Sequence, residues 1–572
     1  MCFKVRSTFR DQVEKTLASR WCRGIWYAFI LTFFVAFVLI PTIYVLSYAI
    51  TGWGAINLYV LSDPLTMGII TRSLLTSFKI AGLVTFIDFL TGLPMAWIIV
   101  RHRFKGRRFI DTLIDMPLAV PTSALGFSVA MFWASKEGVA ILFGFSNGLI
   151  ASPFLLVMMV HLAFSYPYMV RSLIAILEEI DITYEIAART LGAAPLTAAR
   201  TITLPLFKAG LITGIILSFA RSISETGATM IALTTLASVE KTAPVLIASW
   251  KSIASQNPEL ASKLIPAGAF VSMALIVLAG ILLVILKLII IYTKIPTRRV
   301  WPKAERFLSR AWPKRLRDIY AYLFLFSAII IPGFFIFVYA MHGPSLSGSS
   351  VSLDWTRFWS SLNASFSIAT IVTLINLALG TPMAILIARG NREKEKLKSL
   401  TLLLDNLINI PLIIPTVALG FSLGLFWSMI SRLYFPQLAQ NPFWLIVLAH
   451  VAFTYPFIVR SICGAIEELD PTFEDAAKTL GARPLQVFRL VTLPIVKPSI
   501  LAGAIMVFTR SLDETGATMA VVPEAVTAPV YIVTLVSKLA YYEAALACIV
   551  LIVLSYTAML ALRYLTSRIR VT

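Results

Sequence analysis

Cysteine is scarce: the 572 residues contain only Cys2, Cys22, Cys463 and Cys548, with no C-x-x-C pair and no histidine at metal-ligand spacing. Neither a disulfide framework nor a metal site is supported. Histidine is as rare, four in all, with no His-x-x-x-His or His-Glu pair, so an intramembrane enzyme lacks its usual nucleophile–base or metal constellation and no catalytic residue is assigned. No G-x-x-x-x-G-K-[ST] stretch is present, so the chain has no P-loop with which to cradle a nucleotide phosphate. Charge is thin too, 14% of residues where a soluble domain carries about 25%. With 58% hydrophobic residues, that excludes an ordinary soluble enzyme. Acid is the scarcer sign of charge, 29 Asp and Glu against 49 Lys and Arg for a net charge of +20.

What is present is apolar sequence in long blocks. Twelve segments reach the roughly 20 residues that a bilayer requires: about 26–50, 74–100, 109–134, 153–176, 208–234, 264–293, 319–341, 361–388, 400–430, 442–463, 498–522 and 543–563. The first is too long for a signal-peptide core and reads as an uncleaved membrane helix. Threaded alternately from a cytoplasmic N-terminus, they place about three quarters of the 49 basic residues in the seven inner segments. The positive-inside rule then puts both termini in the cytoplasm of a multi-pass cell-membrane protein. The basic excess is a topology signal and needs no nucleic-acid partner.

The two halves repeat. Pro117-Leu-Ala-Val-Pro121-Thr-Ser-Ala-Leu-Gly126-Phe-Ser recurs as Pro411-Leu-Ile-Ile-Pro415-Thr-Val-Ala-Leu-Gly420-Phe-Ser. Likewise His161-Leu-Ala-Phe-Ser-Tyr-Pro167-Tyr-Met-Val-Arg171 recurs as His450-Val-Ala-Phe-Thr-Tyr-Pro456-Phe-Ile-Val-Arg460. Six helices per half make the repeat parallel about an axis along the membrane normal. The expected fold is an all-α polytopic membrane protein: a cytoplasmic segment 1–25, a first transmembrane domain 26–293, a basic linker 294–318 and a second transmembrane domain 319–572.

Between the fourth and fifth helices of each half lies a loop with helix punctuation. Asp470-Pro471 reads as an N-cap and first-turn proline, Glu474 and Asp475 suit a positive helix terminus, Gly481 suits a left-handed stop, and Pro484 can start the next helix. Small residues at Ala187, Ala188, Ala476 and Ala477 leave a surface over which a partner's groove can close. The pattern Ala-Ala-x3-Gly-x9-[Ile/Val]-x-Leu-Pro, at Ala187-Ala188, Gly192, Ile202 and Leu204-Pro205 and again at Ala476-Ala477, Gly481, Val491 and Leu493-Pro494, resembles the EAA loop of binding-protein-dependent (MetI-like) ABC importer permeases. The resemblance implies a type I ABC importer transmembrane fold whose two loops are coupling helices. It also implies two copies of a cytoplasmic ATPase that bind the ATP and Mg, no cofactor in this chain, and an extracytoplasmic solute-binding protein. The leading acid of the pattern is Asp475 in the second half but Ile186 in the first, with Glu185 one position earlier.

Ionisable residues inside apolar helices are costly unless paired and point to a pathway. The fifth helix of one half carries Arg221-Ser-Ile-Ser-Glu225-Thr226-Gly227-Ala-Thr229, and its counterpart Arg510-Ser-Leu-Asp513-Glu514-Thr515-Gly516-Ala-Thr518. Arg and Glu four apart share a helix face. Two readings stand: internal ion pairs that fix packing, or the lining of the translocation path or its outer gate, where Gly227 and Gly516 would let the backbone bend and Thr226, Thr229, Thr515 and Thr518 offer hydroxyls. The stretch looks like the Gly-Glu-Phe-Gly-Ala-Thr segment of sulfate and molybdate/tungstate permeases, and phosphate permeases have a related Gly-Glu-Thr. That resemblance favours an oxyanion cargo, whereas fusion of two permease units is more typical of ferric-iron and thiamine permeases; organophosphonate is a further alternative. An ion-coupled secondary carrier would instead predict unpaired midplane acids, usually in inverted repeats. His161 and His450 read as histidines bonded across to a neighbouring helix, Arg171 and Arg460 as snorkelling helix-end cations, and the Thr-Ala-Pro-Val runs at Thr242 and Thr527 as outer-loop segments.

Overall fold

A computed structural model describes residues 20–292, 302–341, 353–390, 395–434, 441–523 and 527–568. The expected segment 1–25 and the linker 294–318 therefore lie partly outside the described residues. Among the described residues there is no strand, and eleven helices are long and apolar enough to cross a membrane, or twelve if one pair bent by 72° is a single span.

The first half runs α1 (Gly24–Thr51), α2 (Pro64–Arg101), α3 (Arg107–Ala119), α4 (Thr122–Ala134), α5 (Pro153–Glu179), α6 (Thr183–Thr190), α7 (Pro195–Leu206), α8 (Lys208–Ser224), α9 (Gly227–Thr235), α10 (Ala243–Gln256) and α11 (Pro258–Tyr292). A linker helix, α12 (Pro302–Leu308), leads to α13 (Ala311–Met341), α14 (Trp355–Gly390), α15 (Glu395–Leu407), α16 (Thr416–Leu433), α17 (Pro442–Glu468) and α18 (Pro471–Thr479). The chain ends with α19 (Leu493–Asp513), α20 (Gly516–Val521), α21 (Ala528–Ser537) and α22 (Tyr541–Arg568).

Several apolar blocks that read as continuous spans are broken. Segment 109–134 is α3 plus α4, because Val120 is extended (φ −90°, ψ 132°) ahead of Pro121, and 400–430 divides in the same way at Ile414 (φ −77°, ψ 129°) ahead of Pro415. A proline ring disfavours the helical conformation of the residue before it. The Thr-Ala-Pro-Val runs are not outer loops. They begin the buried helices α10 and α21, where the Ala243 and Ala528 N–H groups donate to Ser77 and Ser365 hydroxyls at 2.8 Å. Nor do Arg171 and Arg460 simply snorkel. Arg171 pairs with Asp111 (2.7 Å) and Asp115 (2.5 Å) of α3, and Arg460 with Asp405 of α15 (2.7 Å), which clamps each amphipathic helix to its bundle.

The halves are intertwined through their first helices. Pro41 and Pro332 follow wide helical turns at Phe34–Leu39 and Leu325–Ile330, and a serine of the other half enters each opened ladder. Ser422 Oγ donates to the Pro41 carbonyl (2.7 Å) and accepts the Val45 N–H (2.9 Å). Ser128 Oγ donates to the Pro332 carbonyl (2.7 Å) and accepts the Ile336 N–H (2.9 Å). A side chain inserted between an N–H and the carbonyl four residues back is a physical cause of helix bending. These are the serines that close the repeated Gly-Phe-Ser motifs. Ser128→Ala and Ser422→Ala should each lower stability by about 1–3 kcal/mol, because each leaves buried backbone groups unpaired. Thermal unfolding in detergent checks this, and the two losses should add, since the sites share no partners.

Candidate functional site

Two places collect the residues singled out by sequence. The first is the pair α6 and α18, short helices held by their own caps: Asp181 Oδ1 accepts the Thr183 N–H and Asp470 Oδ1 accepts the Thr472 N–H, both at 2.9 Å. Gly192 (φ +89°) and Gly481 (φ +84°) end them in the left-handed conformation, with nothing within 4 Å of an added Cβ. Glycine is thus required there by backbone conformation alone.

Glu185 and Glu474 occupy equivalent positions and turn inward. Glu185 Oε1 lies 3.3 Å from Arg101 and accepts the Thr203 hydroxyl (2.6 Å); Glu474 Oε1 lies 2.9 Å from Arg389 and accepts the Thr492 hydroxyl (2.5 Å). Burial works against the Glu474 charge, but the Thr492 hydroxyl and Arg389 prevail and hold its carboxyl below the ordinary glutamate range. The leading-acid position is therefore Ile186 against Asp475, and both point outward; among the described residues Asp475 pairs only with Lys478 of its own helix, at 2.8 Å. Ala187 and Ala476 are exposed, Ala188 and Ala477 half-buried. Sequence reading missed the most exposed apolar side chains here, Leu191 (89%) and Leu480 (88%), accompanied by Tyr184 and Phe473. The signal was available, since in both loops a leucine immediately precedes the stop glycine. The first loop is also covered from the side by α12. Thr197 and Arg200 donate to Glu305 at 2.6 and 2.8 Å, and the Leu196 N–H donates to Ser309 at 3.1 Å.

The second place lies where the fifth span of each half breaks. Segments 208–234 and 498–522, expected as single spans that bend at Gly227 and Gly516, are interrupted just before those glycines, at Glu225-Thr226 and Glu514-Thr515, where both glutamates are extended. Glu225 joins Arg221 at 2.8 Å through one oxygen and accepts the Ala228 N–H at 3.1 Å through the other. Glu514 does the same with Arg510 (3.0 Å) and the Ala517 N–H (3.0 Å), while Asp513 lies 3.5 Å from Arg510. Each glutamate therefore neutralises an arginine and satisfies an orphan N–H of the half-helix that follows. The arginines also lie over rings, Arg221 4.9 Å from Phe164 and Arg510 5.8 Å from Phe453.

His161 and His450 do bond across to a neighbouring helix, and they bridge the break itself. His161 Nδ1 and Nε2 each lie 2.8 Å from Ser222 and Thr229, one residue on either side of the break, and His450 holds Ser511 and Thr518 at 2.9 Å. The two breaks meet between the halves. A Cβ on Gly227 would come within 2.8 Å of Thr515, and one on Gly516 within 2.6 Å of the Thr226 hydroxyl. The ion pairs explain how the charges are tolerated; they do not explain why both breaks converge on one contact.

One buried acid escaped the sequence reading. Asp88 of α2 is fully buried; its Oδ2 accepts Ser165 (2.5 Å) and Ser218 (2.8 Å), and its Oδ1 has no hydrogen-bond partner among the described residues. Asn376 takes the equivalent place in α14 and donates to Thr454 at 2.7 Å. An aspartate in one repeat opposite an asparagine in the other was the available signal.

Residues 88–295 match the family described as binding-protein-dependent transport system inner membrane component, and residues 380–571 match it again, so that the two matches cover more than two thirds of the chain. The chain belongs to that family. Each half is similar in length to a whole relative. Over 232 residues the chain is 30% identical to the probable sulfate transport system permease protein CysT of Chlorokybus atmophyticus, covering 41% of this chain and 80% of the relative. It is 33% identical over 195 residues to the molybdate/tungstate transport system permease protein WtpB of Methanocaldococcus jannaschii, covering 33% and 75%. It is 30% identical over 183 residues to the molybdenum transport system permease protein ModB of Escherichia coli K12, covering 30% and 76%. Both bent loops and both helix breaks fall inside the matched regions of this inner membrane component, whereas α1 and α13 lie outside them.

Proposed function

We propose that this chain is the membrane translocation subunit of an ATP-driven importer that carries a small oxyanion, such as molybdate, tungstate, sulfate or phosphate, delivered by an extracytoplasmic binding protein. Two copies of a cytoplasmic ATPase dock on the bent loops, both termini face the cytoplasm, and the cargo passes between the halves where the helix breaks meet. The observation that carries the coupling is the inward anchoring of Glu185 and Glu474: it leaves Leu191 and Leu480 bare on two loops rigidly tied to the bundle. Movement imposed on either loop is passed through Arg101 to α2 and through Arg389 to α14. The cargo rests on the named relatives. Asp88 supplies the unpaired intramembrane acid that a secondary carrier would need, but two external docking loops have no use in such a carrier.

The test is ATP-driven molybdate and sulfate uptake by the permease reconstituted with the ATPase and binding protein encoded beside it. Gly192→Val and Gly481→Val should each reduce uptake at least tenfold, since a β-branched residue at positive φ is strained by about 1–2 kcal/mol and redirects the loop. Uptake that proceeds without ATP, or that survives both changes, would sink the coupling. A binding protein that is stabilised by thiamine or iron and by no oxyanion would sink the cargo.

A further inference from the structure

The two helix breaks mirror each other closely, and one position departs from the symmetry. Where Ser224 ends α8, Asp513 ends α19. Both side chains reach into the opposite half and take up the first N–H of a helix there. The Thr416 N–H at the start of α16 donates to Ser224 Oγ at 2.9 Å, and the Thr122 N–H at the start of α4 donates to Asp513 Oδ1. The helices so tied are those pressed against the breaks, for a Cβ on Gly126 of α4 would meet Ala228, and one on Gly420 of α16 would meet Ala517. The ties are unequal. A carboxylate accepting an N–H at a helix N-terminus forms a charge-assisted bond, roughly twice as strong as a neutral one and aided by the helix dipole. Asp513 also interacts electrostatically with Arg221 and Glu225 of the first half.

We propose that Asp513 is an asymmetric latch: a positioning residue that holds the passage between the halves shut by tying the break in α19 to the start of α4, with Ser224 as its weaker counterpart. The proposal rests on reading the breaks as the cargo path. For that path to open, Thr226 and Thr515 must leave Gly516 and Gly227, and the separation draws Asp513 off Thr122. The weaker Ser224–Thr416 tie gives way first. The two halves of the passage therefore open in a fixed order.

The experiment uses the full chain in lipid nanodiscs with Thr226→Cys as reporter, because Thr226 is 2% exposed and its hydroxyl has no hydrogen-bond partner among the described residues. Labelling by a water-soluble, negatively charged methanethiosulfonate is followed over time, with the chain lacking the reporter as background. Asp513→Ser, the residue the other half uses, should speed labelling about tenfold, equivalent to about 1.4 kcal/mol. Asp513→Asn, which keeps an acceptor and loses the charge, should fall between. Ser224→Asp added to Asp513→Ser should slow labelling again, a recovery that a merely loosened bundle would not give. An unchanged rate in a cooperatively unfolding Asp513→Ser chain overturns the latch. Should that variant misfold, Asp513→Asn decides in the same way. No oxyanion, ATPase or binding protein enters this assay, so its failure leaves the cargo reading intact, and failed uptake leaves the latch intact.

Discussion

Leu191→Asp combined with Leu480→Asp should abolish ATP-driven uptake and leave thermal unfolding of the chain unchanged. Both side chains are almost fully exposed, and substitutions at such surface positions usually move stability by less than about 0.5 kcal/mol. On the proposed docking, the same leucines would enter an apolar groove of the ATPase, where burying each would contribute about 1.5–3 kcal/mol. The substitution replaces that gain with the cost of desolvating a carboxylate. Two such sites lost together amount to at least a hundredfold weaker docking, measurable by co-purification of the ATPase in detergent as well as by uptake. Wild-type uptake by the double variant would show that the leucines are not the docking surface. The single variants need not be equal, because α12 already flanks the first loop through Glu305.

Gly126→Ala and Gly420→Ala, by contrast, should fail at the level of packing. A Cβ at 126 would sit 2.3 Å from the Ala228 Cβ and 2.6 Å from its Cα; one at 420 would sit 2.6 Å from both Cα and O of Ala517. Overpacking typically costs about 1–3 kcal/mol when a side chain can yield, and here backbone must yield. We expect a loss of about 3 kcal/mol or more from either change, seen as a large fall in thermal midpoint, together with loss of uptake. Gly82→Ala and Gly280→Ala are the matched controls. Nothing lies within 4 Å of a Cβ at either position, so within a helix they should be neutral or stabilise by about 0.5–1 kcal/mol. If all four variants unfold alike, close approach of α4 and α16 to the break of their own half is not what holds each bundle together.

The parallel repeat, the family and the bent loops were legible because each is written locally. Gly192 and Gly481 carry their positive φ in their identity, and Asp470-Pro471 caps as its sequence promises. The break at Val120-Pro121 was hidden because apolar sequence flanks it on both sides, and at the fifth spans the glycines announced a bend but not a full interruption at Glu225-Thr226 and Glu514-Thr515. Spacing by fours placed Arg221 with Glu225 and Arg510 with Glu514, as the structure has them, but could not show that the same glutamates cap the next half-helix. The inward turn of Glu185 depends on Arg101, 84 positions away in sequence, and the insertion of Ser128 and Ser422 depends on helices of the opposite repeat. Such contacts are long-range choices among many sterically possible partners. A single sequence does not rank them.

The intertwined first helices set a schedule for making the protein. The Val45 N–H finds its partner in Ser422, 377 residues farther along the chain. At about 5–20 residues per second of synthesis, α1 is in the membrane for roughly 20–75 s before α16 exists to receive it. During that interval its opened turn at Pro41 must be tolerated in lipid or shielded by the insertion machinery. Fusion of the halves in one polypeptide ensures that the late-arriving helix is delivered at high local concentration to the one that has been waiting.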